Sequence, residues 1–200
     1  MVRRLVKRSE KAAPELARAL RDGLAEAAQA VEPGRFADEV AIHEFRKAMK
    51  RHRALLRLTA PLRGPSAKAE RRAAGSIARR LTGARDLTAA LDGVADLVRK
   101  RMLRPDLALP LRTAIESERE HAHTAQLDAD VRAEILDFGE AAQREAAQLE
   151  EADFPMSALI DGLARGYRTM VEAAPDDWST APAEALHALR KAVVIHRYQM

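Results

Sequence analysis

The chain of 200 residues is 47% hydrophobic, 4% aromatic and 32% charged, a composition that indicates a folded protein with a buried core and excludes a disordered one. It contains no cysteine, which excludes disulfides, thiol catalysis and thiolate metal sites. The net charge is +4, but the charges are segregated along the chain. Residues 43–85 contain 13 Lys or Arg and two acidic residues, whereas residues 106–186 contain six Lys or Arg and 18 acidic residues. This distribution predicts a polyanionic partner for the basic part, or attraction between the two parts.

The predicted secondary structure is entirely helical. Ala, Leu, Arg and Glu are frequent, whereas the β-branched and aromatic residues that favour strands are sparse. Apolar spacing and helix breakers together predict helices over residues 9–31, 37–59, 66–81, 84–102, 111–125, 130–151, 155–174 and 180–200. The short connections between them favour antiparallel helical bundles.

Three boundaries carry specific expectations. Ser66 is predicted to cap the third helix. Pro105 and Pro110 are predicted to bracket a turn before the fifth helix. Ser179 or Thr180 is predicted to cap the last helix.

A membrane location is not expected. No stretch approaches the roughly 18–20 apolar residues of a membrane span, and the basic N-terminal segment lacks the apolar region of a signal peptide. With the absence of cysteine, this predicts a cytoplasmic protein without a membrane partner.

The segment HEFRKAMKRHRALLR, residues 43–57, contains many cations and a single acidic residue. At about 3.6 residues per turn, its spacing places six basic residues on one face of a helix. They are His43, Arg46, Lys47, Lys50, Arg53 and Arg57. The adjacent face is apolar and is predicted to enter the core; it comprises Ile42, Phe45, Met49 and Leu56. His52 falls off the cationic face, as does His196 near the end of the chain, and both are predicted to be structural or boundary residues.

This segment has a second copy near the end of the chain. Residues 42–56, IHEFRKAMKRHRALL, and residues 186–200, LHALRKAVVIHRYQM, are identical at six of fifteen positions at an offset of 144. The second copy is predicted to form a cationic face from His187, Arg190, Lys191, Arg197 and Tyr198, and an apolar face from Leu186, Leu189 and Val193. Duplication indicates two related helical halves. Because the chain ends within the repeat, a fragment or a shortened chain is expected.

A cationic face on a helix has two readings. It is often simply a solvated surface, but such surfaces usually mix both signs of charge, and this one does not. Like charges one turn apart repel each other, so facing acidic residues or a bound anion must offset that repulsion. A linear polyphosphate would do so along the whole row, and Arg offers phosphate a bidentate contact. Because Tyr198 is the single aromatic residue on either cationic face, contact with phosphates is favoured over contact with bases.

The two HxxRK motifs at residues 43–47 and 187–191 resemble those of the CHAD family, the conserved-histidine α-helical domains. The segments LTGARDLTAAL, residues 81–91, and GYRTM, residues 166–170, extend the resemblance. It implies an all-helical domain over residues 1–200, made of two pseudo-symmetric four-helix bundles. The first would occupy about residues 9–125, and the second would begin near residue 130 and be incomplete.

The resemblance also implies a function. Basic helices of the family line a central cavity that binds inorganic polyphosphate, and some members localise to polyphosphate granules, whose proteins would be further partners. The implied phosphate contacts in this chain are His43, Arg46, Lys47, Lys50, Arg53, Arg57, Arg79, Arg80, Arg85, His187, Arg190, Lys191, Arg197 and Tyr198. Where the second motif of the family tends to have a further Lys this chain has Val194, so weaker binding by the second half is expected.

No catalytic residue, metal ligand or cofactor site is predicted. No carboxylate follows His43 or His187 at the spacing of a helical metal site, and His121 and His123 face opposite sides of a helix. Arg85 has an alternative role as the ion-pair partner of Asp86, which could cap a helix. Three other functions stay open: a nucleic-acid-binding module, an adaptor whose acidic part pairs with its own basic part, and a polyphosphate hydrolase.

Overall fold

The computed structural model describes residues 12–81, 83–121 and 127–200, and these ranges contain helices and no strand, which confirms the all-α prediction. The helices are α1 (Ala13–Ala30), α2 (Asp38–Leu55), α3 (Ala60–Arg63), α4 (Pro65–Arg80), α5 (Gly83–Arg99), α6 (Pro105–His121), α7 (Ala129–Glu150), α8 (Met156–Glu172) and α9 (Ala183–Gln199). None of the helices in the described ranges is long and apolar enough to span a membrane.

A bundle of α1, α2, α4 and α7 forms the main core. Phe45 and Met49 of α2 are fully buried at its centre, between apolar residues of α1, α4 and α7. The predicted apolar face of α2 is therefore confirmed, because all four of its residues, Ile42, Phe45, Met49 and Leu56, are buried. Burial of this face fixes the rotation of α2 about its axis, so the cationic face lies at the edge of the bundle.

The hairpin of α8 and α9 is attached to one end of this bundle. Leu159 and Leu163 of α8 pack on a second apolar cluster, which contains Phe154 and the segment that follows α2. A Cβ added to Gly162 would lie 3.1 Å from Leu58 Cδ2, and one added to Gly166 would overlap the side chain of Gln199. These two glycines let α8 approach both the bundle and α9 closely.

The boundary between the two predicted halves lies near α7. Helix α7 belongs to the predicted second half by its position in the sequence, yet it packs against α1 in the main core. Helices α5 and α6 form a hairpin whose extensive contacts, within the described chain, are with each other. The assignment of two related halves stays a prediction.

The predicted turn between Pro105 and Pro110 is wrong, because α6 starts at Pro105 and continues through Pro110. Proline at the first helical position is favourable, since its missing N–H would have no partner there. Pro110 lies only five residues further on and removes one backbone hydrogen bond. The helix packs against α5 on this stretch, where Ala108 is 2% exposed.

Two predicted helix caps are also wrong. Helix α4 begins at Pro65, one residue before the predicted cap Ser66. Helix α9 begins at Ala183 and not beside Ser179 or Thr180. The hydroxyls of Ser179 and Thr180 instead donate to Asp177, at 2.7 and 3.0 Å, and so order the loop before the helix.

The predicted apolar face of α9 is not buried. Leu186 is 41% exposed and Val193 is 40% exposed, while Leu189 is half-buried. Helix α9 contacts α2 and α8 through other faces, so its rotation differs from the one that the apolar spacing predicts.

Candidate anion-binding cavity

The two copies of the repeated segment meet in the fold, because α2 and α9 pack against each other. Between them lies a cavity of about 420 Å³, here called the central basic cavity. Helix α2 contributes Lys50 and Arg53 to its wall, and the turn that follows α2 contributes Arg57. Helix α9 contributes His187, Arg190, Lys191 and Tyr198. Two segments separated by 144 positions in the sequence therefore line one space, although the basic residues of the first HxxRK motif, His43, Arg46 and Lys47, are not part of its wall.

Helix α4 supplies a further cation, Arg71, which sequence reasoning missed. The sequence does contain a signal for it, since Arg71, Gly75 and Arg79 follow one another at four-residue spacing. Residues at this spacing share one face of a helix. On α4 this face is turned toward α2, because Gly75 contacts the guanidinium of Arg53.

The electrostatic environment of the cavity is uniformly positive. None of the described residues that line it is acidic. Burial lowers the pKa of Arg53, and the charges of Arg79 and Arg71 lower it further. The pKa of Arg57 is lowered by burial and by the charges of Arg71 and Arg53. These cations repel one another, so an anion that enters between them is stabilised.

Several of these cations also lack counterions in the protein. Within the described ranges, the side chains of Arg53, Arg57, Arg71, Arg190 and Lys191 form no ion pair with an acidic residue. Their positive charge is therefore available to a ligand.

A smaller cavity of about 100 Å³ continues the cationic face between α2 and α4. It is lined by Arg46, Lys50, Arg53 and Arg79, so it shares two residues with the central basic cavity. The guanidinium of Arg53 lies flat against α4, where a Cβ on residue 75 would come within 3.2 Å of Arg53 Cζ. Arg46 donates to the carbonyl of Leu81 at 3.5 Å, which holds it at the mouth of this space.

Comparison with known proteins identifies the family. The family model described as CHAD domain matches residues 16–200, which is nearly the whole chain. The chain belongs to the CHAD family. No curated protein and no solved structure matches it.

Not all residues that the CHAD resemblance implicates lie in the central basic cavity. Lys47 lines a neighbouring cavity that shares Tyr198 with the central basic cavity, and its ammonium lies 3.0 Å from Glu44. This hydrogen bond and the charge of Glu44 raise the pKa of Lys47. His43 is half-exposed, with Nε2 at 3.7 Å from the same carboxylate.

Three further predicted residues are not found in the cavity. Two of them lie elsewhere, and the side chain of the third is outside the described part of the chain. Arg80 forms an ion pair with Glu134 of α7. Arg197 is exposed and lies over the ring of Tyr198, with Cζ at 5.3 Å from the ring centroid. The backbone of Arg85 lies near the start of α5, but its side chain falls outside the described part of the chain. The pairing of Arg85 with Asp86 stays a prediction for the same reason.

The prediction that His52 is structural is confirmed. It is 1% exposed, and its Nε2 lies 2.7 Å from a carboxylate oxygen of Glu70. Glu70 also accepts from Arg63 at 2.7 Å, and Arg63 reaches Glu145 of α7 at the same distance. This network joins α2, α3, α4 and α7, so it fixes the helices that carry the cavity.

The acidic part of this CHAD chain pairs mainly at the outer edge of the bundle. Among the described residues of α7, Glu134 pairs with Arg80, Glu145 with Arg63 and Glu150 with Arg21. Within the described ranges, no cluster of three or more His, Cys, Asp or Glu residues could hold a metal ion.

Proposed function

We propose that the protein binds inorganic polyphosphate in the central basic cavity and does not transform it. The observation that carries this proposal is the convergence of cations from α2, α4 and α9 on one space without a lining acidic residue. Polyphosphate repeats its negative charge along a flexible chain, so one molecule can meet all of these cations together. The guanidinium groups also donate paired hydrogen bonds to phosphate oxygens.

The rest of the cavity wall favours phosphate over nucleic-acid bases. It consists of the small or aliphatic side chains of Ala54, Val194 and Ile195, together with Tyr198. Proteins that bind single-stranded nucleic acid usually add several aromatic surfaces on which bases stack. One tyrosine offers little stacking, so the contacts are directed at phosphate. Association with polyphosphate granules is part of the same proposal.

The proposal assigns unequal roles to the basic residues that the sequence predicts as phosphate contacts. Those that line the central basic cavity without an ion pair contribute most. Lys47 and Arg80 contribute less, because each is paired with a carboxylate outside the cavity. Val194 replaces a possible cation in the cavity wall, so the α9 side is expected to bind more weakly than the α2 side.

Isothermal titration calorimetry with polyphosphate at low and high salt tests this function, with single-stranded and double-stranded nucleic acid as competitors. We expect salt-sensitive binding that nucleic acid does not displace, because counterion release accompanies contact with a polyanion. Displacement by nucleic acid at similar concentration would favour the nucleic-acid-binding alternative. Absence of binding to either polymer would overturn the proposal.

A matched pair of double variants tests the location. Arg57→Gln with Lys191→Gln removes two charges from the cavity, and Lys47→Gln with Arg80→Gln removes two charges outside it. We expect the first pair to reduce the slope of log K against log salt by about 1.5, and the second pair to change it little. Equal effects of the two pairs would contradict this site.

A further inference from the structure

A second cavity lies beside the central basic cavity, between α9 and α8. Its volume is about 490 Å³, and Arg57, Arg71 and Lys191 line both spaces. The second cavity adds one new cation, Arg165 of α8, and none of its described lining residues is acidic. It is here called the α8 cavity.

The two cavities lie on adjacent faces of α9. His187, Arg190 and Val194 face the central basic cavity, whereas Ala188 and Ala192 face the α8 cavity. Lys191 stands on the border between them, since it lines both. A flexible anion that fills the first cavity can therefore continue into the second without leaving a cationic wall.

The wall of the α8 cavity permits close approach of a chain of phosphates. Apart from its cations it is built mainly of small residues, among them Gly162, Gly166, Ala188 and Ala192. The side chain of Arg165 is exposed and forms no ion pair with the acidic residues of the described chain. Its guanidinium is thus available to a phosphate at the far end of the path.

We propose that the α8 cavity is an extension subsite for the distal phosphates of long polyphosphate chains, with Arg165 as its binding residue. This inference rests on the proposed function. A short chain is neutralised by the more numerous cations of the central basic cavity. A long chain also occupies the α8 cavity and gains the contact with Arg165.

The test compares Arg165→Ala with Arg168→Ala, using tripolyphosphate and long-chain polyphosphate as ligands. Arg168 is a matched control, because it is exposed on the same helix and lines neither cavity. We expect Arg165→Ala to weaken long-chain binding about tenfold, the effect of one charged contact, and to change tripolyphosphate binding by less than about twofold. Arg168→Ala should leave both affinities within about twofold of the wild type.

Each other outcome overturns the inference. Equal weakening of long-chain binding by both variants would mean that Arg165 acts only through general surface charge. If Arg165→Ala weakens the binding of tripolyphosphate and of long-chain polyphosphate equally, the α8 cavity is part of the central basic cavity and not a separate subsite. If wild-type protein binds neither ligand, the proposed function itself fails and the subsite with it. Circular dichroism melting of both variants checks that α8 remains folded.

Discussion

At the scale of single residues, Gly75 is the position where packing and ligand contact are most directly linked. A Cβ on residue 75 would lie 3.2 Å from Cζ of Arg53, which is closer than ordinary contact, and burial lowers the pKa of this guanidinium. Glycine within a helix is less stable than alanine by about 1 kcal/mol. A glycine at this position is explained by its contact with Arg53 and not by helix stability.

Gly75→Ala is therefore expected to weaken polyphosphate binding without destabilising the protein. The new Cβ would make the guanidinium of Arg53 shift by a few tenths of an ångström in the wall shared by two cavities, and we expect an affinity loss of about twofold to threefold. The melting temperature should stay level or rise, since alanine favours the helix and the displaced atoms are the mobile end of a side chain. Calorimetric titration and thermal melting measure the two effects.

Gly139→Ala in α7 is the matched control, because nothing lies within 4 Å of its added Cβ. It should bring the same gain in helix propensity and leave affinity unchanged. Wild-type affinity in Gly75→Ala would show that Arg53 needs no positioning by α4.

At the scale of helices, the buried network around Glu70 determines how α2 and α4 are held together. Burial by itself would raise the pKa of Glu70, but the hydrogen bond and charge of His52, together with Arg63, outweigh burial and lower it. Removal of the charge of Glu70 leaves the buried guanidinium of Arg63 with Glu145 as its one charged partner among the described residues. The network thus supports the cavity although none of these three residues lines it.

Glu70→Gln is expected to reduce the free energy of unfolding at neutral pH by about 3 kcal/mol, measured by urea denaturation. Since the folded-state pKa of Glu70 lies below its ordinary value of 4.5, its contribution is present above that pH. The contribution is lost as the pH falls through the folded-state pKa. The stability difference between the wild type and the variant should therefore narrow on acidification.

The exposed pair of Arg80 and Glu134 provides the comparison. Glu134→Gln should reduce the free energy of unfolding by at most about 1 kcal/mol, because water screens this pair. A similarly small loss in Glu70→Gln, or a stability difference from the wild type that does not change with pH, would contradict the assigned role of the network.

At the scale of the whole molecule, the central basic cavity lies between the four-helix bundle and the α8–α9 hairpin. Cations of α2 and α4 face those of α9 across it, so their mutual repulsion opposes the docking of the hairpin. Apolar contacts of Leu159 and Leu163 hold the hairpin in place. A bound polyanion would remove the repulsion and add contacts to both sides.

Polyphosphate is accordingly expected to stabilise the folded protein. At a ligand concentration about 100 times the dissociation constant, mass action contributes about 2.7 kcal/mol, which corresponds to a rise in melting temperature of roughly 5–10 °C. Hydrogen exchange should slow in α8 and α9. Differential scanning fluorimetry with chloride at matched ionic strength separates specific binding from screening. A melting temperature that is insensitive to polyphosphate would instead favour the adaptor whose charged parts pair with each other.

The sequence by itself determined the helical class, most helix positions and the apolar face of α2. Composition and periodicity suffice for these, because they depend on neighbours within one helix. The paired HxxRK motifs were also sufficient to indicate the family, which the match over residues 16–200 shows. Helix ends were less accurate: Pro105 and Pro110 signal a break, yet the contacts of α6 with α5 sustain a helix through them.

Only the tertiary structure decided which members of a cationic face share a cavity. Spacing places Lys47 and Lys50 on one face of α2, but the neighbouring helices leave Lys50 in the central basic cavity and Lys47 beside Glu44. The same contacts bring in Arg71 from α4 and leave Leu186 of α9 exposed. Periodicity fixes the angles between side chains within a helix. The rotation of each helix against the others depends on packing between residues that are distant in the sequence.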